Sequence, residues 1–148
     1  MIPFGLALAI VMRVSISEPV DPRMAPRSIA LEISKLAEDP TEATLMAITA
    51  WHEGRNIANA VGDHGKALCT MQLQHAPSSV LRDLHECMER GRDRLRLSAQ
   101  RCPSHPLADY ASGRCDAGHT ISMFRMKETT RILAMVLTEY GGAQLPTI

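Results

Sequence analysis

The stretch Leu45-Met46-Ala47-Ile48-Thr49-Ala50-Trp51 constrains the fold of this chain more than any other. It spans about two helical turns and is apolar on nearly every side, so it needs neighbours all around it. No segment alternates apolar and polar residues with period two for long enough to argue for a sheet. The expected architecture is therefore all-α, with this helix central and buried.

The remaining elements are read outward from it. Pro19, Pro22 and Pro26 mark residues 18–27 as a connector. Ser28 is expected to cap a helix running to about Glu38, with Ile29, Ile33 and Leu36 on one face. Asp39-Pro40 interrupts it, and Thr41 is the expected cap of the central helix, with Thr44 at its third position. Residues 54–68 read as loop, rich in Gly, Asn and Asp, followed by a short helix from about Thr70. Pro77-Ser78-Ser79 opens a longer helix to about Gln100, with Val80, Leu84, Cys87 and Met88 inward, and Cys102-Pro103 ends it. Pro106 to Ala111 makes a turn or two, closed by Gly113. The last helix covers Ile121 to Tyr140, with Ile132, Leu133, Met135, Val136 and Leu137 in its apolar pattern, and stops at Gly141-Gly142.

At 148 residues the chain suffices for one core, and with only 3% aromatic residues Leu, Ile, Val, Met and Ala must fill it. Sixteen basic and sixteen acidic residues cancel, so no global field points to nucleic acid or an anionic membrane. Arg90, Arg92, Arg94, Arg96 and Arg101 share one helix with Glu86, Glu89 and Asp93. A solvated face with i,i+4 pairs is the preferred reading of that run. A surface for a polyanion is the alternative, but no aromatic residues interleave to stack on bases. Ile2 to Met12 has the length of a signal-peptide core, yet no Lys or Arg precedes it and no A-x-A site follows. A first helix packed on the body is preferred, and no stretch is long and apolar enough for an integral membrane span. The expected organisation is residues 1–27 as apolar segment and connector, then a domain over 28–148.

Cys69, Cys87, Cys102 and Cys115 are even in number, contain no CxxC pair and match no common zinc template. The preferred reading is two disulfides, Cys102–Cys115 closing a short loop and Cys69–Cys87 the second, as suits an oxidising compartment. Four free thiols in a cytosolic protein are the alternative. No metal site is expected.

Glu53 ends the central helix at the edge of a polar loop. A poorly hydrated acid delivered in this way is suited to hold a proton and act as a general acid. His52-Glu53 is not the start of a zinc motif, because HExxH requires a second His where Asn56 stands. Gly65-Lys66 is not a phosphate loop, since Ala60 and Ala67 stand where Gly and Ser/Thr are required. His85 and Cys87 are too isolated to form a metal pair. No cofactor is expected.

The string from Glu53 through Asn59-Ala60-Val61-Gly62 to Met71-Gln72, followed by Leu107-Ala108-Asp109-Tyr110-Ala111-Ser112-Gly113, resembles the signature of the lytic transglycosylases of the lysozyme-like superfamily, which includes soluble lytic transglycosylases and goose-type lysozymes. The resemblance covers roughly residues 41–115. Gly54 stands where the family usually has Ser, Cys69-Thr70 where it has Gly-Leu, and Ala111-Ser112 where it has Asn-Ala.

The resemblance implies a lysozyme-like helical domain with the catalytic Glu at the end of the central helix. Glu53 would be the lone acid/base cleaving the MurNAc-GlcNAc bond of peptidoglycan, with no cofactor. Met71 and Gln72 would line the glycan cleft, with Gly62 and Asn59 contributing from the loop, and Tyr110 would bond to or pack near Glu53. The implied partner is a peptidoglycan glycan strand, in a periplasmic, secreted or virion-associated setting with virion or secretion-complex subunits nearby. Asp63 is the candidate for a second carboxylate in a muramidase-type hydrolysis, although a turn residue before Gly65 is its preferred reading. A catalytically degenerate lysozyme-like protein that binds glycan or a partner subunit is the alternative function.

Overall fold

The apolar run becomes α3 (Pro40–Gly54), and four helices touch it: α1 (Phe4–Ser15), α2 (Pro26–Leu36), α4 (Leu84–Arg101) and α6 (His119–Ala143). The computed structural model describes residues 1–15 and 21–143; Pro19 and its part of the expected connector lie outside the described residues. Met46, Ile48 and Ala50 are wholly buried, as a helix apolar on all sides requires. Its cap is Asp39, whose carboxylate accepts from Glu42 N, and not Thr41; Pro40 occupies the first turn, where a missing N–H costs nothing. Glu42 reaches back to accept from Glu38 N at 2.8 Å, a near relative of the capping box.

The other helices surround this axis. Leu6, Ala7, Ile10, Val11 and Val14 seat α1 in the same core as α2 and α3. α2 begins at Pro26 without a side-chain cap, two residues before the expected Ser28, because Pro at the first turn is already set for helical φ. Pro77-Ser78-Ser79 yields only a 3₁₀ turn, Ser78–Leu81; α4 starts at Leu84 with Asp83 as cap, its carboxylate accepting from Glu86 N. α5 (Ala108–Ser112) ends at Gly113 with φ 72, the left-handed closure expected there. α6 runs through Gly141-Gly142 to Ala143 instead of stopping. Glycine costs about 1 kcal/mol relative to alanine in a helix, which weakens a helix end without forbidding it.

The chain is mainly helical, but the expectation of all-α needs one correction. Residues 61–74 form a three-stranded antiparallel sheet, β1 (Val61–Gly62), β2 (Ala67–Leu68) and β3 (Leu73–Gln74), where loop and a short helix were expected. The register pairs Val61 with Leu68 and Gly62 with Ala67, then Ala67 with Gln74 and Leu68 with Leu73. Strands of two residues are too short to display a period.

Both disulfides of the preferred pairing are present, Cys69–Cys87 and Cys102–Cys115. The first ties the sheet to α4. The second closes the segment around α5. Among the described residues no helix is long and apolar enough to cross a membrane.

Candidate functional site

Glu53 reaches the surface because α3 ends abruptly. Arg55 and Asn56 both take left-handed backbone, at φ 52 and 55, and turn the chain away from the helix axis. Arg55 N–H returns to Trp51 O at 2.9 Å and its guanidinium lies over the Trp51 ring. Asn56, at the position a second zinc ligand would need, is wholly buried and donates its side-chain amide to Ser15 at 2.7 Å. Gly54 lies against the turn before β3: a Cβ there would meet Thr70 Cα and O at 2.4 Å. The Ser of the family pattern therefore cannot be accommodated without moving Thr70, whose hydroxyl in turn donates to Ala50 O at 3.1 Å. Cys69 stands where that pattern has Gly and retains a left-handed φ of 62. Such a conformation in a non-glycine residue costs on the order of 1–2 kcal/mol, and the bond to Cys87 holds it in place. The unusual residues at 54, 69 and 70 thus form one packed unit.

Glu53, Gln72 and Tyr110 line a single cleft of about 920 Å³, together with Gly62 and Asp63. That volume lies within the usual range of small-ligand sites. Gln72 is fixed by donating to Cys69 O at 2.9 Å. Its carbonyl oxygen sits where a Cβ of Gly62 would be, 2.0 Å from that point, so the position accepts only glycine while Gln72 keeps this pose. Tyr110 packs near Glu53 but does not bond to it: its hydroxyl donates to Met71 O at 2.6 Å. Burial of the phenol, and then the nearby Glu53 carboxylate, push the Tyr110 pKa above its ordinary value, so this hydroxyl stays a donor. Asp63 is both a turn residue and a lining residue; it accepts from the Gln74 amide at 3.2 Å.

Two expected lining residues are not found there. Met71 is wholly buried and does not line the cleft; its backbone carbonyl accepts from the Tyr110 hydroxyl that does. Asn59 is exposed and is not among the residues that line the cleft. Side chains on such tight turns alternate inward and outward over single residues, which a motif match cannot resolve.

The environment of Glu53 also differs from the expected isolated acid. Arg125 Nη2 on α6 lies 2.7 Å from Glu53 Oε1, with both side chains largely enclosed. One helical turn further along α6, Glu128 accepts from or shares a proton with His52 Nε2 at 2.7 Å, and Phe124 meets the His52 ring edge-on. Two polar bonds thus clasp α3 to α6 beside the acid. Arg125 on α6 lies outside the segment that carries the resemblance, so the motifs do not point to it. A signal for it does exist: Ser122, Arg125, Thr129, Ile132 and Val136 follow 3,4 spacing, and all are buried. An arginine in such a stripe implies a buried counter-charge.

The arginine-rich helix is bonded to neighbouring elements more than to itself. Arg90 pairs with Glu86 at i,i+4, as expected. Arg96 grips Glu42 at 2.6 Å and Glu38 at 2.9 Å, while Arg94 and Arg101 converge on the buried Asp109.

Comparison of the chain with protein-family models, with curated proteins and with solved structures finds no match.

Proposed function

We propose that this chain is a peptidoglycan lytic transglycosylase of lysozyme-like fold that cleaves the MurNAc-GlcNAc bond with Glu53 as its single acid/base. The observation that carries this reading is the convergence of Glu53, Gln72 and Tyr110, brought from three separate stretches of chain, on one cleft. The paired sequence motifs supply the substrate class. Glu53 gives its proton to the glycosidic oxygen as the bond to the anomeric carbon breaks and an oxocarbenium-like centre develops. The resulting carboxylate then takes the proton of the muramyl 6-hydroxyl while that oxygen attacks the same sugar's anomeric carbon. A 1,6-anhydro sugar forms and no water is consumed. Arg125 would stabilise the carboxylate that the first step leaves behind and the second step uses, and Gln72 and Tyr110 would shape the wall beside it. Two disulfides suit an oxidising setting such as the periplasm, the exterior or a virion.

The test is digestion of purified murein followed by mass analysis. Anhydro-muropeptides are expected, and Glu53→Gln should abolish them. Reducing ends in their place would make Asp63, which shares the cleft, the second carboxylate of a hydrolase.

The Glu53–Arg125 ion pair favours a second reading, in which a degenerate lysozyme-like domain grips glycan or a virion or secretion-complex subunit without cutting. On that reading murein is bound but left intact, and the biological role survives Glu53→Gln.

A further inference from the structure

The cleft carries two arginines that the acid/base chemistry does not use. Cys87 is bonded to Cys69, and Gly91 lies so close to Met71 that an added Cβ would meet Met71 Cε at 2.5 Å. These two contacts turn one face of α4 toward the 69–72 turn. Arg90 and Arg94 stand three and seven residues after Cys87, on that same face, and both line the cleft with Glu53. Neither guanidinium is loose. Arg94 Nη2 lies 3.1 Å from Asp109 Oδ2 and 3.3 Å from Asp109 O, and Asp109 is itself only 5% exposed. Arg90 gives its Nε to Glu86, which does not line the cleft. With Arg101 also reaching Asp109, three guanidiniums meet two carboxylates in this corner. Each guanidinium has five donors, so these bonds orient the forks and leave donors for a ligand.

We propose that Arg90 and Arg94 form a carboxylate-binding subsite in the Glu53 cleft, which recognises the peptide stems of the glycan strand. The inference rests on the glycan-strand reading above and deepens it. A guanidinium fork matches a carboxylate in geometry and charge, so it discriminates stems that carry free carboxylates from stems whose carboxylates are blocked. A polyphosphate is the poorer fit. Glu86 and Asp109 already engage these two guanidiniums and Asp63 lines the same cleft, so the charge left over matches a single carboxylate better than a continuous run of phosphates.

The experiment uses the full chain carrying Glu53→Gln, so that strands are bound and not consumed. Affinity is measured by fluorescence anisotropy for labelled soluble glycan strands with peptides attached, and for the same strands after carbodiimide coupling to ammonia has converted the peptide carboxylates to neutral amides. The expected result is a preference of about tenfold for strands whose peptide carboxylates are free, the size of one charge-assisted hydrogen bond. Adding Arg90→Gln or Arg94→Gln should each reduce the ratio of the two affinities by about threefold or more. Arg94→Gln also disturbs Asp109, so the half-exposed Arg90 supplies the variant whose folding is least at risk. Equal affinity for the two strands, or a ratio unchanged in the Arg90 variant, overturns the subsite alone. Failure of the chain to bind either strand, with no murein cleavage by the unsubstituted protein, overturns the glycan reading itself.

Discussion

Removing either member of the Glu53–Arg125 pair should destabilise the fold, and removing both should cost little more than removing one. Arg125 is 9% exposed, and its Nη1 is buried without a partner among the described residues. Glu53 is its carboxylate, at 2.7 Å, with side-chain exposures of 11% and 24% for the two partners. At an effective dielectric of about 20, two unit charges at this separation attract by about 6 kcal/mol, most of which is offset by desolvation. Stranding one partner of a fully buried pair costs about 3–5 kcal/mol. Because Glu53 opens onto the cleft, a figure of about 2–3 kcal/mol is expected for Glu53→Gln and slightly more for Arg125→Met. The double variant should lie within about 1 kcal/mol of either single one, a coupling of about 2 kcal/mol. Urea unfolding followed by far-ultraviolet circular dichroism, with disulfides intact, measures all four corners. In thermal melts each single variant should lose roughly 4–12 °C. Additive single costs below about 0.5 kcal/mol would refute the view that a buried counter-charge from α6 holds the acid. A Glu53→Gln variant more stable than the parent would refute it as well.

Gly54→Ser, which introduces the serine of the pattern this segment resembles, should destabilise by about 2 kcal/mol or more, because its Cβ meets backbone at 2.4 Å and backbone cannot yield as a side chain would; a denaturant midpoint equal to that of the parent would contradict the packing of Gly54 on Thr70. Replacing Cys69 and Cys87 together by Ser should cost about 3 kcal/mol from the released loop, and murein cleavage should fall further than stability does, since Cys69 sets the turn that carries Gln72. Acid should weaken the α3–α4 junction. Burial raises the Glu42 pKa, but the Arg96 guanidinium and the Glu38 N–H outweigh it, and the net shift is below the ordinary value of 4.5. Its contribution is therefore present above about pH 4.5 and is lost as pH falls through the lowered folded value. Glu42→Gln should flatten that part of the stability–pH curve, and an unchanged curve would remove Glu42 as its source.

Much of the helical scaffold is legible in the residues because each signal is local. The all-round apolarity of Leu45 to Trp51 demands a central helix, and α3 is one. Gly113 needs only its own backbone freedom to close α5. Caps are less legible: Asp39 and Pro40 compete with Thr41 within three residues, and the choice depends on Glu42 reaching back to Glu38. The strands of residues 61–74 leave no periodic trace, because two-residue strands are defined by partners and not by pattern.

By itself the sequence determined a mainly helical chain, a central helix that delivers Glu53 to a polar turn, and the composition of that turn. These follow from periodicity, propensity and chain punctuation within about twenty residues. Only the tertiary structure decided what surrounds the acid. Arg125 comes from a helix 72 positions later in the chain. Met71 turns its side chain into the core and offers only a carbonyl, while Gln72 turns outward over Gly62. Arg90 and Arg94 reach the cleft because a disulfide and a glycine fix the rotation of α4. Counter-charges, side-chain direction and helix rotation depend on distances between segments far apart in the chain, and those distances exist only once the core has formed.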